Sequence, residues 1–318
     1  MAPLSSTGVQ MRSGGPERPR LGLGWIQGTT RTADRAWVLL ALASMWPGAV
    51  VKVRDRGVQW YDRSATVGAR GVLVAWEPKS SSSSPAEVFI QIPQGALDAL
   101  GWEGQVRLAS VLADLGLRAS RVDVYWDDLA RIADPEAEVL ASMVRRDTLS
   151  RVKKWKRIGD SDGGATAYIG SRQAECMIRV YRKWIESGDD RDGVRWELEA
   201  KGERAVLVLA LMVGSRAPAD TFWTLLRAFV DFRDRSGHVR GDEAPMLAWW
   251  SALVQSAGRA RLVMPVHSHP LAATFAWLRR AVAPSLALGF ALGGSAFVDE
   301  LIRTGWDRAA WERIEGAA

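Results

Sequence analysis

The amino-acid sequence predicts an α+β fold, in which an antiparallel β-sheet core carries flanking helices and a mainly helical C-terminal part follows. Two observations support this prediction. Runs of strand-type alternation, with a few helical segments among them, fill the chain up to about residue 201, and apolar residues recur at helical spacing beyond it. Strands first and helices later is an order typical of α+β proteins rather than of a regular α/β alternation.

Strands are predicted where β-branched and aromatic residues alternate with polar residues between turn-forming positions. The runs on either side of residues 171–176 are close enough in the chain to pair as a hairpin. The acidic, glycine-containing segment 186–193 is predicted to form a turn before the last strand. The predicted strands are residues 21–30, 50–53, 58–61, 71–76, 88–92, 121–126, 165–170, 177–183 and 195–201.

Helices are predicted where apolar residues recur at three- and four-residue spacing. Asp134 and Pro135 favour a helix start, because aspartate is a preferred N-cap and proline a preferred first helical residue. Pro47 and Gly48 end the first helix. The predicted helices are residues 33–45, 93–100, 104–115, 135–143, 203–213, 221–232, 248–255, 271–282 and 296–303.

Composition indicates a folded, basic protein. Hydrophobic residues make up 47% of the 318 positions, which is enough for a sizeable core. The formal net charge of +6 favours a polyanionic partner. A single cysteine, Cys176, excludes an internal disulfide and fits a reducing compartment. No signal peptide is evident, and proline and glycines interrupt the uncharged run 281–298, so we expect a cytoplasmic protein without a membrane span.

Three regions are expected along the chain. Residues 1–20 are rich in Ser, Gly, Pro and Arg and are predicted to form a disordered basic tail. Residues 21–205 are predicted to form the α+β domain, and residues 206–318 a helical C-terminal region. The sequence leaves open whether that helical region would recognise DNA or mediate dimerisation.

Carboxylates occur at alternate positions of two predicted strands. Asp123 and Asp127 share one strand face, and Glu197 and Glu199 share another, because side chains alternate with a period of two. If the two strands pair in one sheet, Asp123 and Glu197 would lie within a few ångströms of each other. Clustered carboxylates without His or Cys suit Mg²⁺ or Mn²⁺. The competing interpretation is a pair of solvated strand faces with ordinary acids.

Tyrosine is scarce, with four residues in the chain. Tyr181 alternates with Arg179 and Lys183, so all three are expected on one face of a strand. A phenol has a pKa of about 10 and becomes a useful nucleophile when nearby cations stabilise its anion. Tyr168, on the predicted partner strand, is a second candidate. Packing within the sheet is the alternative interpretation for both tyrosines.

The segment 145–157 is the strongest basic patch in the chain. Trp155 is interleaved with its cations, and Asp147 opposes them. Such a segment fits a phosphate-backbone surface with an aromatic ring available for stacking, although a solvated helix face would look similar. The candidate DNA-binding residues here are Arg145, Arg146, Arg151, Lys153, Lys154, Lys156 and Arg157.

Taken in order, these motifs resemble the replication initiation factor family, whose members include rolling-circle initiators of plasmids, related phage replication proteins and conjugative-element relaxases. The resemblance covers roughly residues 22–210. Arg182 departs from the acidic or amide residue often found between the family's tyrosine and lysine. The matching pieces are RVDV at 121–124, DD at 127–128, YIGSR at 168–172, IRVYRK at 178–183, RWE at 195–197 and KGERA at 201–205.

The resemblance implies a nicking and joining domain over residues 21–205. In this chemistry a tyrosine attacks one DNA strand at an origin, leaving a 5′-phosphotyrosine link and a free 3′-hydroxyl, and later reverses the transfer. The implied roles are Tyr181 as nucleophile, Arg179 and Lys183 as stabilisers of the phenolate or phosphate, Asp123 and Glu197 as Mg²⁺ or Mn²⁺ ligands with Glu199 or Asp127 as a third, and Arg172 as a further DNA contact.

The implied partners are a double-stranded DNA origin with a single-stranded nick site, a second copy of the chain in a homodimer, and a host helicase. A relaxase of a mobile element would use the same residues, so the sequence leaves that alternative open. A DNA-binding regulator that has lost catalysis is the alternative from another functional class. A basic helical scaffold would leave the clustered motifs unexplained.

Overall fold

The computed structural model describes residues 21–58, 60–79, 86–150, 152, 154–159, 164–190, 192–237, 243–254, 295–297 and 299–300. The chain divides into two compact units, Met1–Arg261 and Leu262–Ala318. In the second unit, residues 295–297 and 299–300 are helical. The predicted tail 1–20 and the predicted helix 271–282 lie outside the described residues, and the predicted boundary at residue 205 stays a prediction.

The first unit is organised around a ten-stranded antiparallel sheet with the strand order β2-β3-β4-β5-β1-β6-β11-β10-β9-β8. Two short strands, β7 and β12, pair with each other separately. The strands are β1 (Leu21–Thr30), β2 (Val51–Arg54), β3 (Tyr61–Val67), β4 (Val72–Pro78), β5 (Val88–Pro93), β6 (Arg118–Asp128), β7 (Thr148–Ser150), β8 (Trp155–Gly159), β9 (Ala165–Ile169), β10 (Cys176–Arg182), β11 (Val194–Lys201) and β12 (Val230–Phe232).

Helices flank this sheet, and the described chain after β11 forms helices together with the short strand β12. The predicted α+β class, with an antiparallel sheet and flanking helices, is confirmed, and the described residues after β11 are mainly helical. A π-helical turn, Pro135–Leu140, leads into α4. The helices are α1 (Arg35–Met45), α2 (Gln94–Asp98), α3 (Gly101–Asp114), α4 (Ala141–Arg145), α5 (Lys183–Ser187), α6 (Glu203–Val213), α7 (Pro218–Phe229) and α8 (Ala248–Val254). Among the described residues, no helix is both long and apolar enough to span a bilayer.

Register places the charged residues of the three central strands side by side. In the β6–β11 pair, Asp123 is opposite Glu199 and Asp127 is opposite Arg195. In the β10–β11 pair, Arg179 is opposite Glu197. Because strand side chains alternate between faces, these residues share one face of the sheet, which we call the polar face.

The opposite face of the same strands is the hydrophobic core under the C-terminal helices. Helix α6 packs on β6 and β11. Trp196 of β11 is fully buried, with ring centroids 5.5 Å from Trp250 and 5.8 Å from Trp223. Such edge-to-face and tilted aromatic pairs each contribute about 0.5–1.5 kcal/mol beyond the burial of their area. The aromatic cluster therefore packs behind the strands that carry the polar face and stabilises their positions.

Two motif glycines have backbone conformations that explain their presence. Gly170, after β9, has φ of +112°, and Gly202, before α6, has φ of +54°. Both values lie in the region that residues with a Cβ rarely adopt. A Cβ at Gly170 would also lie 3.2 Å from the carbonyl oxygen of Cys176, so glycine lets β9 turn closely into β10.

Several predicted elements differ from the structure, and some elements of the structure were not predicted. The predicted strand 58–61 is wrong, because the amide of Tyr61 bonds to the carbonyl of Val58 in a turn and β3 begins only at Tyr61. The predicted helix 221–232 ends at Phe229, because the alternating Val-Asp-Phe segment that follows pairs with β7. The strand predicted to reach Lys183 ends at Arg182, and Lys183 begins α5. Strand β8 was not predicted.

Candidate active site

The centre of the polar face is a meeting point of Asp123, Glu197 and Arg179. The Nη2 atom of Arg179 donates a short hydrogen bond to Glu197 Oε1 and a longer one, 3.4 Å, to Asp123 Oδ2. The two carboxylates belong to different strands, β6 and β11, and the arginine reaches them from the third, β10. The expected proximity of Asp123 and Glu197 is therefore observed, with a guanidinium nitrogen between them.

A second group of cations neutralises the outer side of this centre. Arg121 donates to both oxygens of Asp123, at 2.9 and 2.6 Å. The same guanidinium lies 3.0 Å from Glu199, and Lys201 lies 2.9 Å from the other oxygen of Glu199. Glu199 is therefore turned towards Arg121 and Lys201 rather than towards Glu197.

Burial affects the ionisation of the carboxylates at the centre of the polar face. Burial raises the pKa of Glu197 to about 7; the Arg179 guanidinium opposes the rise, and the neighbouring Asp123 carboxylate adds to it. Two carboxyl groups this close repel each other when both are ionised. A positive charge between them removes that repulsion, which is what the nitrogen of Arg179 supplies.

The donor set fits a hard divalent cation through two residues. Mg²⁺ is commonly held by one or two carboxylates and completes its shell with water. Asp123 and Glu197 supply oxygens that face one point, and Glu199 lies beside them. Across the described part of the chain, no three His, Cys, Asp or Glu side chains gather tightly enough to form a metal cluster by themselves.

Asp127 is committed to a different interaction. Its carboxylate forms two hydrogen bonds with Arg195, of 2.6 and 2.7 Å, and both side chains are buried. The Arg195 guanidinium also lies 3.8 Å from the ring centroid of Tyr125. A bidentate, buried pair of this kind is a structural element, and it draws Asp127 away from the Asp123–Glu197 centre.

Tyr181 lies two residues beyond Arg179 on β10, half-buried in the wall of a cavity of about 330 Å³. Arg179, Tyr168 and Arg182 line the same cavity. Burial raises the pKa of the Tyr181 phenol above its ordinary value, and Glu197 adds to the rise, while Arg195 and Arg179 oppose it. The flanking cations, which were expected to ease formation of the phenolate together with a nearby metal, thus do not outweigh burial.

Lys183 does not share the strand face of Tyr181 as expected, because β10 has already ended. Its Nζ bonds to Glu186 at 2.7 Å, one turn along α5. It lies 6.0 Å from the centroid of the Tyr181 ring. The lysine is therefore near the tyrosine, but it approaches the ring from the helix rather than from the strand.

Tyr168 is opposite Arg179 in the β9–β10 pair. It lines the cavity of Tyr181 and also a second cavity of about 290 Å³. That second cavity is basic, because Arg121, Arg172 and Lys201 contribute to its wall together with Arg179. Tyr168 therefore sits between two cavities that an extended phosphate chain could occupy.

The predicted DNA-binding segment is divided between two places. Arg145 and Arg146 end α4, and Arg145 pairs with Asp147 at 2.8 Å. Arg151 and Lys153 lie outside the described residues. The remaining cations, Lys154, Lys156 and Arg157, lie just before or on β8, the exposed edge strand of the sheet.

Two of the cations on the edge strand already have partners. Arg157 pairs with Glu136 at 2.6 Å, and Lys156 lies 5.3 Å from the centroid of the Tyr168 ring. Lys154 is exposed, and so is Arg172 at the turn after β9. The edge strand thus brings Lys156 next to the candidate tyrosines, which sequence spacing alone did not show.

Sequence reasoning missed three cations of the site: Arg121, Lys201 and Arg182. The first two alternate with the predicted acids, as Arg121 with Asp123 and Lys201 with Glu199, so the same period of two could have placed them on the polar face. Arg182 instead forms a bidentate pair with Asp134, at 2.8 and 3.0 Å. Asp134 lies far from Arg182 in the chain, so the sequence does not reveal this contact.

Comparisons with known proteins identify a matching family and a similar relative. The family model described as replication initiation factor matches residues 119–302, more than half of the chain. The putative DNA relaxase NicK of Bacillus subtilis (strain 168) is 23% identical over 165 residues, covering 48% of this chain and 47% of that protein. The chain thus spans about half the length of this relative.

A solved structure has a similar fold. The rolling circle replication initiator protein from Geobacillus stearothermophilus superposes with a TM-score of 0.62 over 74% of this chain and 95% of that chain, at 16% sequence identity. At this identity the likeness is one of fold. It includes the large antiparallel sheet on which the polar face lies.

Proposed function

Because the chain belongs to the replication initiation factor family, we propose that it nicks and rejoins one strand of DNA through a tyrosine to start rolling-circle replication in the cytoplasm. The observation that carries the proposal is the arrangement on the polar face. Tyr181 and Arg179 line one cavity, and Arg179 also contacts the paired carboxylates Asp123 and Glu197. Nucleophile, phosphate-binding cation and metal ligands would thus act within one site.

In the proposed reaction, the Tyr181 phenol oxygen attacks the phosphorus of a phosphodiester. The bond to the 3′-oxygen breaks, the released strand carries a 3′-hydroxyl, and the phosphate stays on the tyrosine as a 5′-phosphotyrosine. Arg179 would bind the phosphate oxygens as negative charge develops on them. Attack of a 3′-hydroxyl on the same phosphorus reverses the transfer and regenerates the phenol.

The proton of Tyr181 is the obstacle that the site must overcome. Burial raises the phenol pKa, and the Glu197 carboxylate adds to the rise. Neutralising the charge of Glu197 would therefore ease deprotonation. Lys183, 6.0 Å from the ring centroid, is proposed to stabilise the resulting anion from α5.

Asp123 and Glu197 are proposed to hold Mg²⁺ or Mn²⁺, with Glu199 beside them as a third ligand. When bound, the metal supplies positive charge that polarises the phosphodiester. Asp127 is no longer proposed as a ligand, because Arg195 holds its carboxylate in a buried pair. The roles of these residues rest on the polar-face geometry together with the family.

The DNA is proposed to pass along the edge strand β8. Lys154 and Lys156 are exposed there, and Arg172 is exposed beside the second cavity. Arg145 and Arg157 would have to exchange Asp147 and Glu136 for phosphates. Arg146, Arg151 and Lys153 complete the proposed contact set from the sequence.

A relaxase of a mobile element is the second candidate, favoured by the similarity to the putative DNA relaxase of Bacillus subtilis. The chemistry and the residues would be the same, and only the destination of the nicked strand would differ. For either function we propose a double-stranded origin with a single-stranded nick site as substrate, a homodimer as the active form and a host helicase as a further partner.

The test is incubation with supercoiled DNA from the chain's own replicon and Mg²⁺ or Mn²⁺, followed by denaturing gels. We expect nicked circles with protein covalently attached, lost in EDTA and in Tyr181→Phe. Tyr168→Phe is the matched control and should keep the covalent product. If the two variants behave the other way round, Tyr168 is the nucleophile. Retarded but uncut DNA would support a non-catalytic DNA-binding regulator instead.

A further inference from the structure

Arg179 is held differently from other arginines around the site. Arg121, Arg182 and Arg195 each use Nε and Nη2 together against both oxygens of one carboxylate. Arg179 instead places one nitrogen, Nη2, against two carboxylates of different strands. Its Nε is buried and has no hydrogen-bond partner. The Arg179 guanidinium thus binds both carboxylates through one nitrogen and does not form the two parallel hydrogen bonds that an arginine commonly makes to one carboxylate.

The point that this nitrogen occupies lies between the oxygens that would bind the metal. Glu197 Oε1 and Asp123 Oδ2 both accept from Nη2, so a cation bound by the same two oxygens would need the space of that nitrogen. Two positive charges would also repel each other there. Occupation by Arg179 and occupation by a divalent cation are therefore mutually exclusive.

We propose that Arg179 occupies the metal position in the metal-free protein, and that a divalent cation binding Asp123 and Glu197 displaces its guanidinium into the cavity of Tyr181. This inference rests on the proposed metal site and goes beyond it. The location of the Arg179 guanidinium would then depend on whether the metal is bound.

The destination follows from where Arg179 already lies. Its side chain is 26% exposed and lines both cavities, the one with Tyr181 and the basic one beside Arg121. Rotation of the side chain, without movement of β10, would carry the guanidinium from the carboxylates into the cavity that it shares with Tyr181. A phosphate there would offer the bidentate partner that Nε now lacks.

The first test is a titration of the metal-free full chain with Mn²⁺. Binding is measured from the electron paramagnetic resonance signal of the Mn²⁺ that stays unbound. We expect Arg179→Met to bind Mn²⁺ roughly ten-fold more tightly than the wild type or better, because hydrogen bonds between charged groups hold the competitor in place. Arg182→Met is the charge-matched control. It removes the same charge from the last residue of β10, three positions further along the strand, where the side chain pairs with Asp134 instead.

The outcomes separate the inference from the proposed function. Equal tightening in both variants would show a general effect of charge and overturn the inference, as would weaker binding in Arg179→Met. In both cases the metal site would stand. Absence of Mn²⁺ binding in every variant would overturn the inference and the metal ligands together, whereas the covalent tyrosine adduct is judged in its own assay. If Arg179→Met does not fold, Arg179→Gln carries the same comparison.

The second half of the inference predicts coupling between metal and DNA. In a Tyr181→Phe background, Mn²⁺ should tighten binding of a single-stranded oligonucleotide that contains the replicon's nick sequence. Adding Arg179→Met should reduce that gain, because the guanidinium that the metal releases is absent. An equal gain with and without Arg179 would refute the proposed destination of the side chain.

Discussion

The buried pair of Asp127 and Arg195 allows a sharp test of how the polar face is built. We expect Asp127→Asn to destabilise the protein, because it leaves the Arg195 charge buried without its anion. The two side chains are only 8% and 5% exposed, and their hydrogen bonds measure 2.6 and 2.7 Å. Removing one partner of such a pair costs about 3–5 kcal/mol. Asparagine keeps one acceptor oxygen, so we expect the lower end, about 3 kcal/mol.

The measurement is urea unfolding followed by tryptophan fluorescence, which the aromatic cluster behind β11 makes sensitive to loss of the core. The control is Asp62→Asn, because Asp62 pairs with Lys79 at 3.6 Å with side chains 61% and 53% exposed. An exposed pair contributes no more than about 1 kcal/mol.

Two results would refute the reasoning. One is a variant Asp127→Asn that is as stable as Asp62→Asn, which would mean that the buried pair contributes nothing beyond a surface pair. The other is a loss of stability seen only when Mn²⁺ is present. That result would return Asp127 to the set of proposed metal ligands, although Arg195 holds its carboxylate by two hydrogen bonds.

Three further predictions follow. Trp196→Ala should cost about 3–5 kcal/mol in the same urea assay, because it empties the centre of the aromatic cluster. Glu197→Gln should lower the pKa of Tyr181, which ultraviolet titration of the phenol would show; an unchanged titration would contradict the assigned cause. Burial alone would raise the pKa of Asp231, but hydrogen bonds from Arg227 and Trp250 outweigh the effect of burial, so the pKa is lowered. The contribution of ionised Asp231 to the stability of the folded protein is therefore complete above about pH 3.9 and is lost as the pH falls further. In acid unfolding, Asp231→Asn should not show this loss.

The central strands were predictable because their two faces differ. Strands β6, β10 and β11 place most of their charged residues and their tyrosines on one face and mostly aliphatic residues and tryptophans on the other, so alternation is plain in the sequence. Strand β8 has all five residues exposed, and without a buried face it shows no apolar alternation. The cations of β8 led to the prediction of a DNA-binding surface, but not to the prediction of an edge strand.

The candidate site was predictable in its residue types and less so in its contacts. Alternation was enough to place Asp123 with Asp127 and Glu197 with Glu199 on one face of their strands, but the pairing of the two strands was only a condition of the prediction. Alternation could not give the register, which sets Glu199 rather than Glu197 opposite Asp123. Nor could it show that burial outweighs the cations near Tyr181, because burial depends on packing from elements distant in the chain.

The position of the site in the middle of the sheet determines which molecule must adapt during binding. Strands β6, β11 and β10 each have a hydrogen-bonded neighbour on both sides. Their backbones are therefore among the parts of the fold least able to move, and only side chains can rearrange. If Tyr181 acts on DNA as proposed, the deformation needed to bring a phosphate to its hydroxyl falls on the nucleic acid. Sequences that melt or extrude easily would be cut fastest, even where the protein touches none of their bases.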